Sequence, residues 1–128
     1  MADQFVIADI VRILDARVLC GEHSLDRAVY SAFCSDLMSD VLAFVNEKTV
    51  LITGIINPQV IRTAEMLDIH CLLFVRGKTP GEPVLEQARE LGITVLTTKE
   101  SAFTTCGKLY EAGLRGVSIE WPESEDNT

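Results

Sequence analysis

Three short runs, Thr49 to Thr53, His70 to Val75 and Thr94 to Thr97, are almost wholly apolar or β-branched, and stretches of helical periodicity separate them. This alternation constrains the chain more than any other feature. A strand with no polar alternation is covered on both faces. Parallel strands joined by helices use right-handed crossovers, with the helices lying on the sheet. Asn57 is a good N-cap and Pro58 a good first helical residue, so the spacing predicts a helix over 58–68 with Ile61, Ala64 and Leu67 inward. Residues 82–91 read as the next helix, stopped by Gly92. Thr98 is the expected cap of a third, about 99–112, with Phe103, Cys106, Leu109 and Tyr110 on its apolar side and Gly113 as its stop.

The first half adds a helix over 6–15, from Ile7, Ile10, Val11 and Leu14, and a short strand at Arg17 to Cys20. Asp26 to Phe33 reads as a second strand, with Ala28, Tyr30 and Ala32 on one side, and Gly21 to Leu25 as a hairpin or loop between them. An antiparallel pair is therefore expected. Ser35 caps a predicted helix over 36–46, with a stripe of Leu37, Met38, Val41, Leu42 and Val45. Leu114 to Ile119 is a candidate last strand. The expected architecture is a single three-layer α/β domain over 1–121, with a mixed, mainly parallel sheet and helices on both faces. Residues 122–128 are expected to be an acidic, mobile tail.

Composition narrows the function classes. The chain has 128 residues, 48% of them hydrophobic and 23% charged, which suits one globular core. Its formal charge is −8, and Glu120, Glu123, Glu125 and Asp126 crowd its last nine residues. That balance argues against a nucleic-acid binder, which needs a positive face to displace counterions. No apolar run reaches the ~18 residues of a membrane helix, and Met1 to Asp9 carries no basic segment of a signal peptide. Cys20, Cys34, Cys71 and Cys106 include no CxxC pair and lie in apolar or small-residue settings, as free thiols behaving like small buried hydrophobes do. A cytoplasmic location is expected. A metal site from Cys20, His23, His70 and Cys71 is disfavoured, because adjacent strand residues such as His70 and Cys71 face opposite ways.

No complete catalytic motif is present. Gly77-Lys78-Thr79 ends like a phosphate loop, but the leading glycine would fall at Leu72, so the string reads as a turn after a strand. What remains is the edge of the sheet where strands run into helices. The junctions there hold Ser35 and Asp36, then Thr53, Gly54, Asn57 and Gln59, then Thr98 and Lys99. Strand carboxyl ends form the usual ligand crevice of an open α/β sheet, and helix N-termini suit phosphate or carboxylate. Plain helix capping explains the same residues. Asp36 and Asp40 would share a helix face at i, i+4, where like charges repel. Asp40 is therefore expected to meet a cation such as Arg62 or Lys99.

Against those residues, the chain resembles the DRTGG domain family. The segments that carry the resemblance are Ser35-Asp36-Leu37-Met38-Ser39-Asp40-Val41-Leu42-Ala43, Ile52-Thr53-Gly54, Asn57-Pro58-Gln59-Val60-Ile61-Arg62-Thr63-Ala64-Glu65, Leu73-Phe74-Val75-Arg76-Gly77-Lys78, and Cys106-Gly107-Lys108-Leu109-Tyr110. Together they span about residues 5–115. The family is similar in fold to the N-terminal domain of HPr kinase/phosphorylases, whose kinase activity belongs to a separate P-loop domain. The resemblance therefore implies an accessory or regulatory domain without enzymatic activity. Members also occur in phosphotransacetylases, and between nucleotide-binding CBS domains in pyrophosphatases, near subunit contacts. By that resemblance the chain would be a homodimer that binds a protein partner. The ligand would be an adenine nucleotide or another phosphorylated molecule. Stand-alone members encoded beside iron-only hydrogenases point to a redox or hydrogenase-related partner system. Two other readings stand beside it: a metal-dependent phosphoryl-handling enzyme using Asp36 and Asp40, and a purely structural dimerisation domain.

Overall fold

The computed structural model describes residues 4–46 and 48–119. The elements in chain order are α1 (Ile7–Leu14), β1 (Arg17–Cys20), β2 (Ser31–Cys34), α2 (Met38–Phe44), β3 (Thr49–Thr53), α3 (Pro58–Leu67), β4 (Cys71–Phe74), α4 (Glu82–Leu91), β5 (Thr94–Thr97) and α5 (Ala102–Glu111). One sheet holds all five strands in the order β1-β5-β4-β3-β2. Strands β2 to β5 are parallel, and only β1 is antiparallel, paired with β5. This is the expected mixed, mainly parallel α/β domain.

The strand order explains the layers. From β2 to β5 each strand lies beside the one before it, always in the same direction. Right-handed crossovers then place α2, α3 and α4 on one face. There Met38, Val41, Val60, Ile61, Ala64 and Ala88 close over Leu51, Leu72, Phe74 and Val95. The alternate strand residues Val50, Ile52, Cys71, Leu73 and Leu96 face the other way, onto Ile7, Ile10 and Leu14 of α1 and Leu109 of α5.

The expected antiparallel pair does not form. β1 and β2 occupy opposite edges of the sheet, and the second strand is shorter than 26–33. Residues Glu22–Ser24 make a 3-10 turn, not a tight hairpin. The following segment then crosses to the far edge. Its carbonyls go to the start of α1, where Ile7 N donates to Arg27 O (3.1 Å) and Ala8 N to Leu25 O (2.8 Å). Those N–H groups have no partner within the helix, so capping α1 replaces pairing with β1. The candidate strand at 114–119 reduces to one bridge, Gly116 beside Ala32 on the free edge of β2.

Two helices also start later than expected. α2 begins at Met38, so neither Ser35 nor Asp36 lies within it, and Leu37 and Leu42 are exposed. α5 is capped by Ser101, whose Oγ accepts from Thr104 N, not by Thr98. The face α5 turns inward is Ala102, Thr105, Cys106 and Leu109, while Phe103 is 88% and Tyr110 60% exposed. Both stripes have helical spacing. The smaller side chains allow the helix to approach the sheet, and the large aromatics are left outside. The acidic tail expected over 122–128 lies outside the described residues.

Candidate functional site

Because β2 to β5 are parallel, the junctions singled out by the sequence do share one edge. They do not form one cluster. β4 lies between β3 and β5, so Thr53 and Thr98 are two strand spacings apart, roughly 10 Å. The loop after β4 fills the interval.

The first group forms around Asp36. Ser35 N donates to Ile52 O (3.0 Å) and Ser35 Oγ accepts from Leu37 N (3.0 Å), a local turn that swings the next side chain over β3. Asp36 Oδ1 then accepts from Gly54 N (2.8 Å) and Thr53 Oγ1 (2.9 Å). The Gly54 N–H is the largest influence holding this carboxyl below its ordinary range, and the Thr53 hydroxyl and the charge of Arg76 add to it against the opposing push of burial. Asp36 and Asp40 are therefore not neighbours on one helix face, and the repulsion expected between them loses its basis. Asp40 lies in the first turn of α2, exposed.

Sequence reasoning missed Arg76 as a site residue. Its guanidinium lies over Gly54, so close that a Cβ on Gly54 would fall 2.7 Å from Nη2. Arg76 adopts φ 59°, a left-handed conformation uncommon outside glycine. The backbone fixes it there, with Arg76 N donating to Glu100 O and Gly77 N to Thr98 O, both at 2.8 Å. Its place in the Val-Arg-Gly turn after a buried strand was the available signal.

The second group lines a cleft of about 430 Å³ where β5 meets β1, formed by Asp15, Ala16, Arg17, Gly77, Thr79, Thr97, Thr98 and Lys99. Lys99 and Arg17 bring positive charge and Asp15 a negative one. Thr98 Oγ1 donates to Leu14 O (3.4 Å) and accepts from Glu100 N (3.3 Å), and Thr97 Oγ1 donates to Lys78 O (2.7 Å). These two hydroxyls fasten the cleft wall. Asn57 and Gln59 stay at the start of α3, where Asn57 Oδ1 accepts from Gln59 N (3.0 Å) as an ordinary cap.

Cys20 belongs to the core on one face of the sheet and Cys71 to the core on the other, so those two thiols do not share a metal site. Among the described residues, no group of three or more His, Cys, Asp or Glu is placed to hold a metal ion. No helix among them is long and apolar enough to cross a membrane.

Among solved structures, the CBS and DRTGG domains of the regulatory region of Clostridium perfringens pyrophosphatase, complexed with the activator diadenosine tetraphosphate, share this fold at a TM-score of 0.67 and 20% identity. The match covers 81% of this chain and 45% of that one, so the chain spans less than half the length of its structural relative. No curated protein matches the chain. The DRTGG domain family matches residues 9–112, which include the sheet and all five helices either whole or nearly so. The chain belongs to the DRTGG domain family.

Proposed function

We propose that the chain is a non-enzymatic regulatory domain that binds a small anionic ligand, an adenine nucleotide or another phosphorylated molecule, and acts on a protein partner in the cytoplasm. The observation that carries this reading is a concentration of charge. In a protein of net charge −8, Arg17 and Lys99 line a cleft of about 430 Å³ at one edge of the sheet, and Arg76 and Lys78 follow β4 at that same edge. Charged side chains at strand ends recognise phosphate without any catalytic group. The pyrophosphatase relative supports the reading, since its CBS and DRTGG domains form a regulatory region complexed with a nucleotide activator.

The test is a melting and calorimetry series with ADP, ATP, diadenosine tetraphosphate and inorganic phosphate. A ligand at 100 times its Kd stabilises the fold by about 2.7 kcal/mol. Lys99→Ala and Arg17→Ala are expected to remove that gain. No shift with any of the four in the millimolar range overturns the reading.

A second reading, a structural homodimer, is favoured by the outer face of α5. Phe103 and Tyr110 stand exposed there around Gly107. Light scattering on Phe103→Asp separates the two. A dimer that dissociates in the variant supports the structural role, and a wild-type monomer removes it.

A further inference from the structure

The four cysteines fall into two pairs of opposite character. Cys20 and Cys71 are buried on opposite faces of the sheet, 1% and 2% exposed. Burial raises both thiols, Cys71 to about 12, and makes them inert. Cys34 is exposed and Cys106 half-buried, against the expectation that all four would be small core residues.

Strand alternation brings the second pair together. Cys34 closes β2 and shares the parity of Ala32, which packs with the core beneath α5. Cys106 is on the inward stripe of α5 and packs with the same core. Both line one cavity of about 80 Å³, with Ala32, Ile52, Leu109 and Gly116 among its other walls. The two residues, 72 apart in sequence, thus face one cavity from two different elements.

We propose that Cys34 and Cys106 form a thiol–disulfide exchange site, closed reversibly by a disulfide-bearing oxidant and tying α5 to the end of β2. The thiolate of one cysteine attacks one sulfur of the oxidant RSSR, giving a mixed disulfide and releasing one RS⁻. The thiol of the other loses its proton to solvent and attacks the chain sulfur of that mixed disulfide, expelling the second RS⁻. The two chain thiols are oxidised and the oxidant is reduced to two thiols. Either cysteine serves as the first attacker, since both line the one cavity. Cys34 lies two positions before Asp36, so oxidation reports directly beside the candidate ligand edge. The site itself stands whether or not that edge binds a nucleotide.

The test treats the full chain with oxidised glutathione and reads it by intact mass and peptide mapping. The expected product is a monomer lighter by two hydrogen atoms, with Cys34 and Cys106 joined, a higher melting temperature, and full reversal by dithiothreitol. Cys34→Ala is expected to trap glutathione on Cys106, and Cys106→Ala to give no internal disulfide. Peptide mapping of the unaltered chain keeps the test decisive if a variant misfolds. Unmodified thiols, persistent glutathione on both cysteines, or a disulfide joining two chains would each overturn the proposal.

Discussion

The guanidinium of Arg76 occupies the space a side chain on Gly54 would need: a Cβ there would sit 2.7 Å from Nη2 and 2.9 Å from Nη1. β4 thereby lays its positive charge across the end of β3, next to the carboxylate that accepts from Gly54 N. Gly54 has an ordinary backbone conformation, and the obstructing atoms are the far end of a flexible, exposed side chain. Gly54→Ala is therefore expected to fold with stability within about 1 kcal/mol of wild type. Its effect is to push the guanidinium aside. Calorimetry is expected to show weaker binding of any anion that uses Arg76, and unchanged affinity would mean that Arg76 takes no part.

Asp36 is expected to contribute to stability only when ionised. Its folded-state pKa lies below the unfolded one, so its contribution is complete above the ordinary carboxylate range, near pH 4, and is lost as pH falls through the folded value. The carboxylate faces solvent, so Asp36→Asn is expected to cost roughly 1 kcal/mol at pH 7, after discounting for screening. Urea melts from pH 7 to pH 3 are expected to show the difference between the two proteins shrinking at the acid end. A constant gap would show that hydrogen bonding to the ionised form is not the source.

Gly21 gives the opposite outcome to Gly54. Its φ is 84°, and a Cβ there would lie 2.6 Å from the Cα of Thr94, a backbone atom of β5 that cannot swing away. Gly21→Ala combines left-handed strain with overpacking and is expected to cost about 3 kcal/mol. Thermal melts are expected to fall by on the order of 10 °C. The loss localises to the β1–β5 edge, whose amides should lose hydrogen-exchange protection first.

Thr105 offers a stabilising change. It is fully buried on α5, and among the described residues its Oγ1 has no hydrogen-bond partner. Thr105→Val keeps the shape and removes an unpaired hydroxyl, so a gain of about 1 kcal/mol in chemical denaturation is expected.

Cys106 is expected to react at lower pH than an ordinary cysteine. A neighbouring thiol stabilises a thiolate beside it, so Cys34 lowers Cys106 from its ordinary value. Alkylation by iodoacetamide is expected to rise at lower pH than for an ordinary cysteine. In Cys34→Ala that neighbour is gone, and the profile is expected to move upward. The neighbouring Asp36 acts on Cys34, which it raises, and the Arg115 guanidinium at the cavity wall lies 4.0 Å from the Tyr110 ring centroid.

The local pattern determined what local chemistry decides. Buried apolar runs marked β3, β4 and β5. Asn57 with Pro58 marked the start of α3, and Gly92, at φ 73°, the end of α4. A parallel core with helices across it follows from such runs, because unbroken apolar strands require cover on both faces. Hydrophobic period says which residues alternate. It does not say where a lone strand docks. Tertiary structure placed β1 against β5 and β2 at the far edge, because residues 25–29 are used on α1. It chose the Ala102 stripe of α5 over the Phe103 stripe. It also divided the candidate residues into two groups, since β4 stands between β3 and β5. Arg76 over Gly54 and Cys34 beside Cys106 are likewise tertiary facts. Each joins residues from different elements, and only the strand order brings those elements into contact.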